Sequence, residues 1–355
     1  MSGPQGDITI TGAANEETGL FNSSDQGGGP APGTITHTGS GFGVKSSLTP
    51  IFYQFFDNAD IAEGALASTL GFTQGESSVT LTETDGLISG HGCATYGTVP
   101  GNADGFPHLH YVPASPHQRL IAMYHYKIER TSGTAGVGTS QMKGPRCSYD
   151  EEYNGTPRST ISFYHSHDCT ELEYTNMGII TDLVNDGRDD AGDFPQGYKA
   201  RFRANDFNLV EIDTDFGTVG NADGFIKPWH NGSRIGPFTG SGFDTDALEF
   251  RASSGELIEF PSIFPGLDGI TPSDAYRVRI TDYYIDNTPE IIVIGNASTW
   301  DACDDKIPLI PTSWANTSVT ATMRKFPGVS PGGTVYSYVR NLAGTVSPGV
   351  AQVAI

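Results

Sequence analysis

Asn221-Ala-Asp-Gly-Phe-Ile-Lys-Pro-Trp-His-Asn-Gly-Ser-Arg-Ile-Gly236 reads as a strand, a tight turn and a return strand. Asn-Gly is the pair that accepts positive φ at both centres of a two-residue hairpin turn, and apolar or aromatic residues flank it. The stretch is entered through Gly217-Thr-Val-Gly-Asn-Ala-Asp-Gly-Phe225, which repeats Gly97-Thr-Val-Pro-Gly-Asn-Ala-Asp-Gly-Phe106. In both, Asn and Asp cap their own backbone, Gly supplies the turn, and Phe restarts a strand. Two copies make a recurring turn, not a solenoid.

The rest of the chain follows the same grammar. Its 45 glycines and 22 prolines are spread throughout and break up any long helix. Short runs rich in Val, Ile, Thr, Tyr and Phe lie between turn residues, as in an all-β sandwich. Strands are expected at 78–84, 108–112, 119–130, 159–166, 198–204, 207–214, 224–230, 248–250 and 275–286. Helix is expected only at the alanine-bearing Asp60 to Leu70 and at Asp182 to Gly187.

Two resemblances organise these strands. Thr34-Ile-Thr-His-Thr-Gly-Ser-Gly-Phe-Gly43, Pro311-Thr-Ser-Trp-Ala-Asn-Thr-Ser-Val-Thr-Ala-Thr322 and Gly333 to Ser347 resemble the Ig-like TIG/IPT domain family. Connections between elements of one domain are about four to six residues long, so the long excursion between these two ends is itself a domain. That insert resembles the concanavalin A-like lectin/glucanase and polysaccharide-lyase sandwiches, in which Ala-Asp-Gly opens a strand and a Trp-x-Asp/Asn-Gly hairpin follows. Here Asn231-Gly232 stands for the familiar Asp-Gly, and Pro228 interrupts the strand before Trp229. The resemblances imply an Ig-like β-sandwich interrupted by a larger concanavalin A-like (jelly-roll) sandwich. The expected units are an N-terminal arm (1–33), a discontinuous Ig-like domain (34–48 plus 287–355) and the inserted sandwich (49–286).

Charge narrows the function. Forty-one acids against 20 Lys and Arg give a net charge of -21, which repels phosphate backbones and excludes a nucleic-acid partner. Neither a signal peptide nor an 18-residue apolar run is legible, so no membrane role is expected. Cys93, Cys147, Cys169 and Cys303 have irregular spacing and read as free, mostly buried thiols. Phosphate-binding loops, nucleophile elbows and dinucleotide fingerprints are missing from the sequence, and no cofactor is expected.

Several side chains carry possible chemistry. Val210-Glu-Ile-Asp-Thr-Asp-Phe216 approaches the Glu-x-Asp-x-x-Glu motif of sandwich glucanases through Glu211 and Asp213, but Phe216 occupies the acid/base position. Retaining hydrolysis needs two carboxyl groups about 5 to 5.5 Å apart, and Phe donates no proton. Lyase chemistry needs a proton-transfer group and a cation for the uronate carboxylate. Tyr124, His125, Tyr126 and Arg130 share one strand and Tyr164, His165 and His167 another, although the Gln-x-His and Arg-x-Glu signatures of alginate lyases are missing. His108-x-His110 and His165-x-His167 have the spacing of some zinc sites but no evident third ligand, so no metal is expected. Sugar binding asks only for aromatic faces and a few polar groups, and Tyr124, Tyr126, Tyr164 and Trp229, with Glu211 and Asp213, are its candidates. The bland alternative for each aromatic residue is core packing.

The expectation from sequence is a non-enzymatic virion-surface protein of a tailed phage, a head decoration, head fibre or tail fibre. Its partners would be other virion proteins, further copies of itself, and glycans bound by the inserted sandwich. The alternative is a carbohydrate-active enzyme, a glycoside hydrolase or polysaccharide lyase.

Overall fold

The computed structural model describes residues 8–15, 33–56, 61–74, 79–88, 91–97, 109–111, 113–132, 139–148, 161–168, 174–181, 199–201, 203, 206–234, 246–248, 250–251, 254–255, 257–258, 260–264, 266–268, 275–329 and 333–353. They form four β-sheets stacked in order.

The first layer runs Lys199–Arg201, Tyr174–Thr181, Ile161–Asp168, Thr139–Ser148, Phe260–Phe264, Leu109–His110 and Thr73–Gln74, with Gly266–Asp268 also pairing with Thr139–Ser148. The second runs Ser233–Arg234, Gly224–His230, Asn208–Asp215, Arg119–Ser132, Ala275–Asp286, Cys93–Gly97 and Thr80–Thr82. Both are antiparallel. Their shared core takes Tyr124, Tyr126, Ile212, Val278 and Tyr283 from the second layer, with Phe72 and Ile258 beside strands of the first. This is the expected β-sandwich.

The chain ends build the other two layers. Lys306–Leu309, Ile291–Gly295, Thr334–Arg340 and Val350–Val353 form the third. The fourth pairs the N-terminal strands Thr9–Asn15 and Thr34–Ser40 with Ser318–Thr322 and Pro311–Ala315. Ile35, Trp314 and Val319 meet Ile292, Ile307 and Val339 in the core between them. Thus the start of the N-terminal arm is an edge strand of its own chain, with Ala13 opposite His37.

The third layer is covered on both sides, which explains why all of Ile291–Gly295 is buried. Alternation sends Ile292 and Ile294 into the end-built sandwich and Ile291 and Val293 onto the back of the second layer. There they meet Met123, Leu209 and Tyr284, beside Trp300 and Tyr338.

One secondary-structure expectation fails. Of the expected helix at 60–70, the described residues 61–70 carry only a 3-10 turn at Ala67–Leu70, because Gly64 takes φ 76 and ends any helix early. The expected helix at 182–187 lies outside the described residues. Cys93 and Cys303 are free and buried, as expected.

Candidate functional site

One face of the first layer can be followed through its backbone register. Tyr164 stands directly opposite Lys143 on one neighbouring strand and Gly178 on the other. Directly opposed residues share a face with Cβ atoms about 4.5–5.5 Å apart. In the adjacent row Ser162 opposes Arg146, which opposes Ser262, which opposes His110. On the other side of Tyr164, Ser166 opposes Gln141 and Asn176, and Asn176 opposes Lys199. Tyr174 opposite Arg201 extends the same face.

The opposite face has another composition. Ile161, Phe163, Met142, Met177, Ile179 and Leu267 fall there by the same pairings. An apolar face beside a polar one is the pattern of a sheet that packs on one side and meets solvent on the other. The polar face is also basic for this chain. Among the described residues, Lys143, Arg146, Lys199 and Arg201 outnumber Asp168 and Asp268 on it, whereas acids outnumber bases two to one overall.

Lys143 and Arg146 come together through a bulge. The pairing slips between Ser162 and Tyr164, where Gly144 and Pro145 occupy the partner strand. Proline has no amide hydrogen for the ladder, so a bulge is where a strand tolerates it. The extra residue sets Lys143 and Arg146, three apart, on one face.

The sequence candidates divide between this face and the second layer. Tyr164 lies on it. Tyr124 and Tyr126 are fully buried in the first core, which corrects their reading as sugar-stacking residues to the packing alternative. The Tyr126 hydroxyl is 2.8 Å from His230 Nε2, and burial holds its phenol far above the usual range. Glu211 and Asp213 point to the back of the second layer. Lys306 of the third layer donates to Glu211 at 2.6 Å, both groups being buried, and packs 4.7 Å from the Trp300 ring. Arg119 grips Asp213 with two hydrogen bonds of 3.0 and 2.9 Å. The glucanase-like acids are therefore ion-paired structural groups, not a catalytic pair.

Trp229 is half-buried on the back of the second layer, opposite Glu211. His165 and His167 fall on the apolar face of the first layer and His110 on the polar one, so the two His-x-His pairs do not converge; His108 lies outside the described residues. No cluster of three metal-ligating side chains occurs among the described residues.

The hairpin departures have local causes. Asn231 and Gly232 adopt φ 47 and 75, as the two-residue turn requires. Asn231 Nδ2 donates to Asn208 Oδ1 at 2.9 Å, a bond an ionised aspartate cannot make. A Cβ on Gly232 would lie 2.2 Å from the Cys303 carbonyl oxygen, so the turn also needs glycine to touch the end-built sandwich. Pro228 falls where neither short outer strand pairs, leaving no ladder bond for it to break.

The fold and its basic face can be set beside known proteins. No protein-family model matches the chain, and no curated protein does. Among solved structures it is similar to alginate lyase Aly36B, at 14% identity and a TM-score of 0.48, covering 66% of this chain and 96% of that one. The PL-14 alginate lyase from Aplysia kurodai is 13% identical with a TM-score of 0.45, covering 67% and 98%. Lectin UEA-II, solved with galactose, is 11% identical with a TM-score of 0.31, covering 67% and 99%. Alginate lyases recur among these structures, two of them as complexes with alginate oligosaccharides, which corrects the expectation of a non-enzymatic protein. At such identities the likeness concerns fold alone, and residue roles rest on this chain's own geometry.

Proposed function

We propose that the chain is a polysaccharide lyase acting on an acidic, uronate-containing polymer at the polar face of the first layer. The observation that carries the reading is the direct opposition of Tyr164 and Lys143, with Arg146 on the same face. A protein of net charge -21 repels polyanions except where its local charge is reversed, and this face reverses it.

The chemistry is β-elimination. A base takes the C5 proton, the electron pair forms the C4–C5 double bond, and the C4–oxygen bond breaks onto the leaving sugar, which gains a proton. Arg146 meets the uronate carboxylate and stabilises charge developing at C5. Tyr164 exchanges the proton.

Turnover of acidic polysaccharides, followed by ultraviolet absorbance of the unsaturated product, tests the reading. Tyr164→Phe should lower kcat by about 10²- to 10⁴-fold while retaining binding. Cleavage that yields saturated ends, or turnover indifferent to Tyr164→Phe, defeats it.

The expected setting, a tailed-phage virion surface with the split Ig-like sandwich as anchor, belongs to the same proposal. The double attachment of the inserted sandwich to the end-built one favours it. Stoichiometric presence in purified particles is its test.

A further inference from the structure

We propose that the contact between Lys45 and Asp286 is the reactant state of a covalent cross-link, an isopeptide bond between the Lys45 amine and the Asp286 carboxyl that the folded chain forms on its own. It concerns the two crossings between the sandwiches and is independent of what the first layer binds.

The geometry is that of two reactants held away from water. Lys45 Nζ lies 2.7 Å from Asp286 Oδ2, and the two side chains are 1 and 2% exposed. A donor that close to one carboxylate oxygen lies roughly 3–3.5 Å from the carboxyl carbon, the range of a near-attack arrangement. Asp286 is fixed from both sides, by the Asn287 amide donating to Oδ1 at 2.8 Å and the Tyr284 hydroxyl donating to Oδ2 at 2.8 Å. A third acid stands beside the pair. Glu290 is buried, and its Oε1 has no hydrogen-bond partner among the described residues. Thr288 Oγ1 accepts from Lys45 at 2.6 Å and also hydrogen-bonds the Glu290 carboxyl, so one hydroxyl links amine to acid. Burial holds Glu290 above the usual carboxylate range, which makes it a better proton acceptor. The Lys306 amine, 2.6 Å from Glu211, packs instead on the Trp300 ring 4.7 Å away, so that pair stays ionic.

The condensation balances without an oxidant or co-reactant. One ammonium proton passes to the carboxylate along the hydrogen bond, since a dry site disfavours separated charges. The Nζ lone pair then attacks Cγ, and the Asn287 amide stabilises the charge that develops on Oδ1. Glu290 takes a second proton from Nζ through Thr288 and returns it to Oδ2, the Cγ–Oδ2 bond breaks, and water leaves. Ammonium and carboxylate become one amide and one water. Tension between the chain ends would then pass from Lys45 to Asp286 and leave the inserted sandwich unloaded.

Intact-mass measurement of the denatured full chain tests this. Wild type should be lighter than its sequence by one water, and digestion should yield a branched peptide joining Lys45 to Asp286. Lys45→Met should keep the full mass. Glu290→Gln, which leaves both reactants in place, should slow bond formation by about 10²- to 10⁴-fold at unchanged secondary structure. Asp286→Asn should reach the same final mass as condensed wild type, losing ammonia in place of water. Wild type at its full sequence mass after prolonged incubation overturns the proposal, whatever the variants do. So does a lost water without the branched peptide, which would place the loss in a succinimide at an Asp-Gly pair.

Discussion

The Lys45 ammonium lies 2.7 Å from the Asp286 carboxylate, and this contact bolts the first crossing between the sandwiches to the second. Lys45 also donates to Thr288 Oγ1 at 2.6 Å and to the Glu290 carbonyl at 2.8 Å, so all three of its protons are used. The Tyr284 hydroxyl donates to the same Asp286 oxygen at 2.8 Å. A buried charge left without its partner is costly, so Lys45→Met should lower stability by about 3–5 kcal/mol in chemical denaturation. A loss below about 1 kcal/mol would mean that apolar contacts alone hold the crossings.

Glu211 and Lys306 give a sharper test of the layered interface, because each is buried and they sit on different sandwiches. Either single truncation should cost about 3–5 kcal/mol, whereas Glu211→Leu combined with Lys306→Met should recover much of it. Strictly additive losses in a thermal double-mutant cycle would contradict the pairing. Neither change should abolish turnover at temperatures where the variant is folded.

Tyr126→Phe distinguishes packing from catalysis. Removing the hydroxyl deletes a buried hydrogen bond of 2.8 Å to His230 Nε2, at a cost of about 1–3 kcal/mol. With Tyr126 fully buried, kcat should not change. A loss of turnover without a loss of stability would return this residue to the catalytic machinery.

His37 sets an acid limit. It is fully buried in the end-built sandwich, with no hydrogen-bond partner for either ring nitrogen among the described residues, and burial lowers its pKa from 6.5 to about 4. The folded protein therefore keeps it neutral while the unfolded chain takes up a proton below 6.5. Its contribution is complete above that pH and is lost as pH falls towards 4, by up to about 3 kcal/mol. His37→Leu should flatten the stability profile across that window. An unchanged slope would assign the acid sensitivity elsewhere.

How much of this was legible in the sequence depended on range. The Asn231-Gly232 hairpin and the long strands around Tyr124 and Val278 were readable because turn chemistry and alternation are local. Thr139–Ser148 was not, since Gly144 and Pro145 break its alternation at the bulge that unites Lys143 with Arg146. Glu211 looked like part of a glucanase motif or a sugar site because its partner is Lys306, 95 positions away. Register across four strands is also long-range, which is why Lys199 and Arg201 carried no signal of their own.

The two crossings at Lys45 and at Asp286 make the molecule tolerant of a single proteolytic cut. A nick in either one leaves the inserted sandwich covalently joined through the other, with Lys45 still able to clamp the severed strand end against its neighbour. Only cleavage at both would free it. The inserted sandwich would thus outlive one hit at its attachment, a redundancy that an ordinary single-linker fusion lacks.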